Sequence, residues 1–575
     1  DCPFSDYKIL NKMIKLLKKN NYDYISNTNP PTFPDGFDLE VFSFKSLIEA
    51  NKKVKKKFDK EHVTPFIIRN AKKSYNLILK KDYSKYRLTI DEPRDLVVIK
   101  NTFAKLRNKK YYDHEDVIKM IDKFPKLFNK NIFIQRNMGS KISTGQKLWS
   151  RAKNIIPGGN MLLSKRPEMF LPNLWPAYFT KSKGCNVWDL DGKKYLDFSS
   201  MSVGTNIMGY ANSKIDNTVK KSIEMGNMSS LNCPEEVYLA EKLIEMHKDF
   251  DMVRFAKTGG EANSIAIRIA RAFSKKDNVA ICGYHGWHDW YLSANISSSK
   301  NLNQHLLTGL STNGVPKKLK NTVFPFEYNN IEKFYKICKK NNIGVVKMEV
   351  FRNFAPKNNF LRKIRNFCSK NNIVLIFDEC TSGFRETFGG LHKKYNVIPD
   401  LCIFGKALGN GYPITAIIGK KEIMQSAQST FISSTFWTER TGYVAALKTL
   451  EEMSKIKSWE KISQVGKAVK NNWLKSAKKY KLKIKISGLD STPSFIIKSE
   501  KWNKYKSYFT FQMLKNNILA SNYIFISVAH KRKLLKKYLK NVDRIFKEIS
   551  LFESGKNLKV LENIPESHTG FKRLN

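Results

Sequence analysis

A carboxylate and a lysine each follow a short apolar segment in the second half of the chain. Ile373–Phe377 leads into Asp378, and Leu401–Phe404 leads into Gly405 and then Lys406. Both segments have the length and branched-aliphatic content of buried strands in a parallel sheet. Functional side chains of such sheets lie where the strands end. Asp378 and Lys406 are therefore the first candidates for a shared site.

These two residue types suit carbonyl chemistry. A lysine held in apolar surroundings loses its proton readily, and its neutral amine attacks a carbonyl carbon. A carboxylate beside it keeps a ring nitrogen protonated, as a pyridoxal cofactor requires. The alternative is that Asp378 and Lys406 are surface residues at the ends of two strands. Their spacing alone leaves both interpretations open.

Other polar motifs also follow predicted strands. Thr258-Gly259-Gly260 precedes a helical pattern, and glycines at a helix start offer backbone N–H groups to a phosphate. A lone Gly-Gly pair is also a common turn. The hydroxyl of Thr435 lies in a Ser/Thr-rich loop before another helical pattern.

An aromatic motif and an acid complete the set. In Tyr284-His285-Gly286-Trp287-His288 the two histidines have a His-x-x-His spacing without a third metal ligand nearby, so an aromatic lid over a flat ring is favoured over a metal site. Glu349 follows the apolar segment Val345–Met348. Each motif thus contributes a chemically distinct group.

The elements that must position these motifs alternate along the chain. Helical patterns separate short apolar strands, which predicts a parallel α/β sheet. A hairpin precedes them, with Asp191-Gly192 at its turn. The predicted strands are 252–255, 278–282, 344–348, 373–377 and 401–404.

These motifs follow one another in a specific order: Thr258–Gly260 (the phosphate cup), the aromatic-His-Gly motif at Tyr284, Glu349, Asp378, Lys406 and the Ser/Thr loop with Thr435. This order closely resembles that of the class III pyridoxal-phosphate (PLP) aminotransferases, nearest to glutamate-1-semialdehyde aminomutase and its relatives. The resemblance covers 141–575. It implies the fold type I PLP-dependent transferase fold, with an arm and hairpin (141–200), a mostly parallel, seven-stranded large domain (201–440) and a small C-terminal α/β domain (441–575). It also implies a homodimer with active sites at the subunit interface, acting on a small amino donor and a carbonyl acceptor.

The resemblance assigns roles to residues that match the family's motifs. Lys406 matches the lysine that bonds to PLP, and Asp378 matches the partner of the ring nitrogen. The other matches are the phosphate-binding Thr258, Gly259 and Gly260, the ring-stacking Tyr284 with His285 beside it, Glu349 near the cofactor's O3′, and Thr435, whose hydroxyl reaches the neighbouring subunit's phosphate.

Three positions depart from the family pattern. Gly260 stands where a hydroxyl residue is usual, Val350 where proline follows the acid, and Cys380 where valine follows Asp-Glu. None of them removes a group that the chemistry needs. No residue is identified as a clamp for a substrate carboxylate, and Arg385 is interpreted as structural.

The first 138 residues carry a different set of motifs. Asp-Cys-Pro-Phe at 1–4, Pro-Pro-Thr-Phe-Pro-Asp-Gly at 30–36, Glu-His-Val-Thr-Pro at 61–65 and Asp-Glu-Pro-Arg-Asp-Leu at 91–96 resemble the later two-thirds of sugar-activating cytidylyltransferases. The branch linked to spore-coat and surface-polysaccharide synthesis is the most similar. The resemblance implies a partial nucleotidyltransferase-like α/β segment in which Asp1 and Asp91 match the Mg²⁺-binding aspartates.

Local pattern favours a simpler interpretation of Asp91, as the N-cap of a helix that begins near Pro93. The family's Gly-rich triphosphate loop is not found in the given sequence. We therefore expect a truncated cytidylyltransferase segment that does not transfer a nucleotide by itself, because it is either a fragment or a remnant kept for packing.

Composition sets outer limits on function. The chain has 102 basic and 51 acidic residues, a net charge of +51. The lysines are scattered and match no nucleic-acid-binding motif, so we expect attraction of anionic substrates and no specific nucleic-acid binding. The eight cysteines include no Cys-x-x-Cys pair, which predicts reduced thiols in a cytoplasmic protein. No apolar run reaches the roughly 18 residues of a membrane span.

The sequence thus predicts a PLP-dependent enzyme that transfers an amino group to a carbonyl metabolite. The cytidylyltransferase-like segment favours a place in sugar or surface-polysaccharide biosynthesis. One alternative is intramolecular amino transfer, as in glutamate-1-semialdehyde 2,1-aminomutase. The alternative from another class is an inactive basic scaffold or binding protein, and Lys406 is the residue that separates it from the enzymes.

Overall fold

The computed structural model describes residues 2–54, 64–90, 93–109, 111–128, 131, 143–556, 558–571 and 574. Its internal contacts divide the chain into two units, Asp1–Thr144 and Gly145–Asn575. Asp1 and Asp91, the predicted Mg²⁺ ligands, lie outside the described residues. No described helix is both long enough and apolar enough to cross a bilayer.

The first unit contains a three-stranded sheet of order β2-β1-β3, in which β1 is antiparallel to β2 and parallel to β3. Its core is apolar, but the buried Arg87 lies within it and donates hydrogen bonds to Asp35 and Asp95. The elements are β1 (Tyr24–Ser26), β2 (Glu40–Phe42), β3 (Ser74–Asn76), α1 (Tyr7–Asn20), α2 (Phe44–Lys53), α3 (Thr64–Asn70), α4 (Pro93–Leu106) and α5 (His114–Lys123). The assignment of this unit to the nucleotidyltransferases stays a prediction.

Two smaller sheets of the second unit lie outside its central sheet. One has the order β16-β6-β5-β4 and includes the predicted hairpin, formed by β5 and β6. The other pairs β14 with β15. Their strands are β4 (Phe179–Lys183), β5 (Asn186–Asp189), β6 (Lys194–Phe198), β14 (Ile484–Ser487), β15 (Ser494–Ile497) and β16 (Ile518–Ala520).

The central sheet of the second unit has seven strands in the order β7-β13-β12-β11-β10-β8-β9. All run parallel except β13, which is antiparallel to both of its neighbours. The sequence analysis predicts five of these strands but neither β9 nor β13. The strands are β7 (Met252–Ala256), β8 (Asn278–Cys282), β9 (Val323–Pro325), β10 (Ile343–Glu349), β11 (Val374–Glu379), β12 (Leu401–Phe404) and β13 (Thr415–Gly419).

Helices cover both faces of this sheet. Because successive residues of a strand point to opposite faces, Val345 and Ile376 pack with α9 on one face. Val346 and Leu375 pack with the helices of the other face. The longer helices of the second unit are α6 (Thr144–Ile155), α7 (Ser213–Glu224), α8 (Glu235–Met246), α9 (Gly259–Ser274), α10 (Ile331–Lys340), α11 (Phe360–Lys370), α12 (Arg440–Ile456), α13 (Ser458–Lys479), α14 (Trp502–Lys515) and α15 (Arg532–Glu553).

Candidate active site

Lys406 is separated from the end of β12 by Gly405 and begins the 3-10 turn Lys406–Gly409. Its φ of 39° is in the left-handed region, which bends the chain sharply at the strand end. The Nζ donates a hydrogen bond of 2.6 Å to the Oγ1 of Thr381. Burial lowers the pKa of the Lys406 amine. The structure therefore holds this amine in a setting that favours its neutral, nucleophilic form.

Asp378 is the second-last residue of β11 and is buried. Its Oδ2 accepts a hydrogen bond of 2.9 Å from the Nδ1 of His285, and its Oδ1 accepts one of 3.1 Å from the backbone N–H of Cys380. Burial alone would raise the pKa of Asp378, but the charge of Lys347 and the bond from His285 outweigh it and hold the pKa well below its ordinary value. Asp378 is therefore a stable carboxylate inside the protein.

His285 lies entirely inside the protein, in the loop that follows β8. Burial lowers its pKa to about 4, although its bond to Asp378 acts in the opposite direction. The His285 ring is therefore neutral at pH 7. Because the Asp378 carboxylate can only accept a hydrogen bond, the ring proton is on Nδ1 of His285. His285 orients the carboxylate without neutralising it.

Thr258, Gly259 and Gly260 form the N-terminal edge of α9. The Oγ1 of Thr258 accepts a bond of 3.3 Å from the N–H of Glu261, and a Glu261 carboxylate oxygen accepts one of 2.8 Å from the N–H of Thr258. This capping box begins α9 at Gly259, six residues before the apolar pattern at Ile265 suggests. The N-terminal backbone N–H groups of a helix form an anion-binding site.

Cys380 lies between the phosphate cup and the lysine motif. A Cβ atom added to Gly259 would lie 3.6 Å from the Cys380 Sγ, and one added to Gly405 would lie 3.3 Å from it. Cys380 is also two residues after Asp378. The cup, Asp378 and the residue before Lys406 therefore meet around one thiol.

Gly260 departs from the family pattern for a steric reason. A Cβ atom there would lie 3.1 Å from the Nε2 of His288 and 3.4 Å from the Nε1 of Trp287. The two rings occupy the space next to this glycine. His288 also binds the Ser264 hydroxyl through Nδ1, so His285 and His288 serve different partners. The interpretation of this motif as an aromatic lid stays a prediction.

Glu349, at the end of β10, holds the backbone of Tyr284. Its Oε2 accepts a bond of 3.2 Å from the Tyr284 N–H and one of 2.9 Å from Arg352. Gly283 has a φ of 129°, and a Cβ there would lie 2.5 Å from the same oxygen. Burial raises the pKa of Glu349 against the opposing charge of Arg352. Tyr284 is 40% exposed, and its ring lies edge-on to that of Tyr291.

Thr435 is exposed on the turn Thr435–Thr438. Neighbouring residues tie this segment to the phosphate cup. The Nε1 of Trp437 donates a bond of 3.1 Å to Glu261, and Lys257 forms an ion pair of 2.7 Å with Glu439. The reach of the Thr435 hydroxyl to a neighbouring subunit's phosphate stays a prediction.

Three residues around the site are absent from the sequence predictions. Thr381 accepts the hydrogen bond from Lys406, Arg352 pairs with Glu349, and Lys347 lies 4.0 Å from Asp378. Lys347 could have been noticed in the sequence, because it is the only charged residue inside the apolar segment Val345–Met348. Thr381 and Arg352 could not have been, because their contacts depend on loop geometry.

Glu379, next to Asp378, belongs to the framework. Its oxygens lie near His392 and Cys402, a grouping that could bind a metal ion. However, they already accept hydrogen bonds from Ser382, Leu391 and both the backbone and ring of His392. These bonds fix the loop after β11, so we assign no metal to this cluster.

Comparison with known proteins identifies the family. The family model "Aminotransferase class-III" matches residues 172–490, more than half of the chain. A 3-aminobutyryl-CoA aminotransferase from Cloacimonas acidaminovorans (strain Evry) is 32% identical over 397 residues, which cover 67% of this chain and 91% of the relative. A glutamate-1-semialdehyde 2,1-aminomutase from Nitrosopumilus maritimus (strain SCM1) is 34% identical over 326 residues, 55% of this chain and 74% of the relative.

A solved structure supports the same fold. The FumI protein of Sphingopyxis sp. MTA144, solved with PLP, matches with a TM-score of 0.65 at 24% sequence identity, covering 72% of this chain and 99% of FumI. The second unit therefore has the α/β PLP-dependent transferase fold. The comparisons and the site geometry agree, and the chain belongs to the class III aminotransferases as a PLP-dependent aminotransferase or aminomutase.

Proposed function

We propose that Lys406 bonds to PLP and that the chain passes an amino group from a small donor to the carbonyl of a hydroxylated acceptor, in sugar or surface-polysaccharide biosynthesis. The residues fit this cofactor: a buried amine, a buried carboxylate, a helix N-terminus and an exposed aromatic ring lie around one thiol. When bound, PLP withdraws electrons from the carbon that carries the amino group.

The proposed roles follow from the contacts. With PLP in place, the amine of Lys406 would take and return the proton at the carbon that bears the amino group. Asp378 holds the proton on the ring nitrogen, and His285 fixes the orientation of Asp378. Thr258 and the glycines that follow it bind the phosphate through the start of α9.

A cavity with a mostly apolar, partly hydroxyl-bearing wall supports the proposal for the acceptor. It has a volume of about 590 Å³ and is lined by Asn410, Gly411 and Tyr412, which follow the Lys406 turn. This volume suits a small metabolite. Among its lining residues, Ser164, Ser200 and Ser202 carry hydroxyl groups that can hydrogen-bond a hydroxylated ligand.

The dimer belongs to the proposal too. Phe431 and Phe436 flank Thr435 and are 85% and 68% exposed. Large apolar side chains exposed on the segment that the resemblance places at a subunit interface support burial by a second copy of the chain. The proposed assembly is a homodimer in which Thr435 completes the partner's phosphate site.

Cytidylyltransferase-like motifs in the first unit support the metabolic context. We propose that this unit is related to that family, with Mg²⁺ as the metal for Asp1 and Asp91. The test is an assay for pyrophosphate release from CTP in the presence of sugar acids. Release that depends on Mg²⁺ would support the proposal.

A substrate screen separates the aminotransferase from the aminomutase. The cofactor-loaded protein is given single amino donors, keto-sugars, 3-aminobutyryl-CoA and glutamate-1-semialdehyde, alone and in pairs. The proposal predicts turnover that needs a donor and an acceptor, with a hydroxylated acceptor preferred. Conversion of glutamate-1-semialdehyde alone into its isomer would favour the aminomutase instead. Absence of PLP binding would favour the inactive scaffold.

A further inference from the structure

Lys347 is a buried lysine in the middle of β10. It is fully inaccessible to solvent, and its register neighbours are Ile376 of β11 and Ile281 of β8. It shares a sheet face with Val345, which packs with the apolar side of α9. An ammonium group in such surroundings is unfavourable unless another charge compensates it.

The amine has one charged neighbour within ion-pair distance. In the part of the chain that the structure describes, the Lys347 Nζ donates no hydrogen bond, and its ion-pair partner is Asp378, whose Oδ2 lies 4.0 Å away. Burial lowers the pKa of Lys347, while Asp378 raises it. The proton on Lys347 therefore depends on the negative charge of Asp378.

Other titratable groups around Lys347 do not replace Asp378. Burial raises the pKa of the Cys380 and Cys402 thiols far above their ordinary value, so both are uncharged. His285 is neutral at pH 7, and Glu349, on the same strand, has Arg352 as its counter-charge. The residues of α9 that face the sheet are uncharged. Asp378 is thus the anion available to Lys347.

Two cations then compete for one carboxylate. In the proposed function, Asp378 is the partner of the protonated ring nitrogen. If Lys347 also stayed charged, two positive charges would share a single negative charge in a site with a low dielectric constant, which is electrostatically unfavourable. We propose that Lys347 is the counter-ion of Asp378 before the cofactor binds and gives up its proton to solvent when the ring nitrogen takes that place.

This inference rests on the role proposed for Asp378 and makes its own prediction. Loading the apoprotein with PLP releases the proton of Lys347. By proton linkage, the wild-type protein should release about one proton per site more than a variant that has no amine at this position. Calorimetric titration of the apoprotein with PLP in two buffers of different ionisation enthalpy measures this number directly, without turnover.

Two variants and one control define the experiment. Lys347→Met removes the amine at similar volume, and Lys347→Arg keeps a permanent cation. Lys506→Met is the control, because Lys506, on α14, also has its pKa lowered by burial, without a contribution from Asp378. Wild type and Lys506→Met should release the extra proton, whereas Lys347→Met and Lys347→Arg should not. Lys347→Arg should also bind PLP about tenfold more weakly or worse, because its cation cannot leave.

Equal proton release by all four proteins would overturn the inference. If Lys347→Met does not fold, the number of protons released by Lys347→Arg is compared with that of wild type, and equal numbers would overturn the inference. Asp378→Asn separates this outcome from failure of the proposed function. An unchanged spectrum and affinity for PLP in Asp378→Asn would refute the role of Asp378 itself. A changed spectrum in Asp378→Asn, with equal proton release by the Lys347 variants, would refute only the role of Lys347.

Discussion

At the scale of single residues, the site depends on keeping one carboxylate charged inside the protein. Asp378 is buried, yet Lys347 and His285 hold its pKa well below the ordinary value. The proton affinity of Asp378 is therefore low in the free site, and when Lys347 gives up its charge, the ring cation itself would keep Asp378 ionised. The charge of Asp378, and not merely its shape, should be what matters.

Asp378→Asn tests this point, because the amide keeps the shape and removes the charge. We expect kcat to fall by about 10²–10³-fold, as for loss of one preorganised electrostatic partner. Steady-state kinetics with a saturating donor measure the change. Glu379→Gln is unsuitable as a control because Glu379 fixes a loop, so Asp543→Asn on α15, whose carboxylate accepts a bond from Tyr480, serves instead. Equal losses in both variants would contradict the assignment.

Lys406 provides a pH-dependent test. Burial lowers its pKa, so its amine should become reactive at a pH below the roughly 10.4 of an ordinary lysine. Lys8 is the internal control, since its hydrogen bond to Asp113 raises its pKa. Modification of the apoprotein by a small amine reagent, followed by peptide mass spectrometry, gives both titration curves. A midpoint for Lys406 at or above that of Lys8 would refute the account.

At the scale of elements, strand ends and one helix start bring the site together. In register, Asp378 lies beside Glu349 of β10 and Ile403 of β12, so three parallel strands present their groups at one edge. The capping box of α9 adds the phosphate cup to this edge. An element-scale defect in the cup should therefore affect both folding and cofactor binding.

Thr258→Ala separates these two effects when it is compared with Asp113→Ala. Each residue caps a helix through a capping box, on α9 and α5 respectively. Loss of either cap should cost about 1 kcal/mol of stability. Only Thr258→Ala should also weaken PLP affinity, because α5 has no part in the site. Denaturation and PLP titration measure the two quantities, and unchanged PLP affinity in Thr258→Ala would count against the cup.

The sequence predicts the elements that carry strong local patterns. Five of the seven central strands and the residues at their ends follow from apolar segments, because a buried strand needs little else to be recognised. β13 is not predicted, although Pro413 precedes its short apolar segment and Gly419 ends it. The contacts of Thr381, Arg352 and Lys347 are not predicted because they join segments that only folding brings together.

At the scale of the whole molecule, the proposed dimer makes Thr435 part of a site on the other subunit. Phe431 and Phe436, exposed on either side of it, support burial at that interface. In a mixed dimer, a Lys406 defect on one subunit and a Thr435 defect on the other would then fall in the same site and leave the other site intact. The two variants should complement each other.

Mixing Lys406→Ala with Thr435→Ala checks this arrangement. A mixed dimer contains one site with both defects and one site with neither. When the two variants are denatured, mixed and refolded together, each mixed dimer should therefore bind PLP with wild-type affinity at its one intact site. The control mixes Lys406→Ala with Lys506→Ala. The number of intact sites should then equal the number of Lys506→Ala subunits, so that mixing produces no gain. Activity equal to the average of the two separate proteins would contradict shared sites.

The most direct test of the account is to locate the covalent bond between protein and cofactor. Borohydride reduction of the PLP-loaded protein fixes this bond, and mass spectrometry of the peptides finds the modified lysine. The account predicts the modification on Lys406, with Lys347 unmodified and no modified peptide from Lys406→Ala. Modification of Lys347 in place of Lys406, or reduction without any modified lysine, would contradict it.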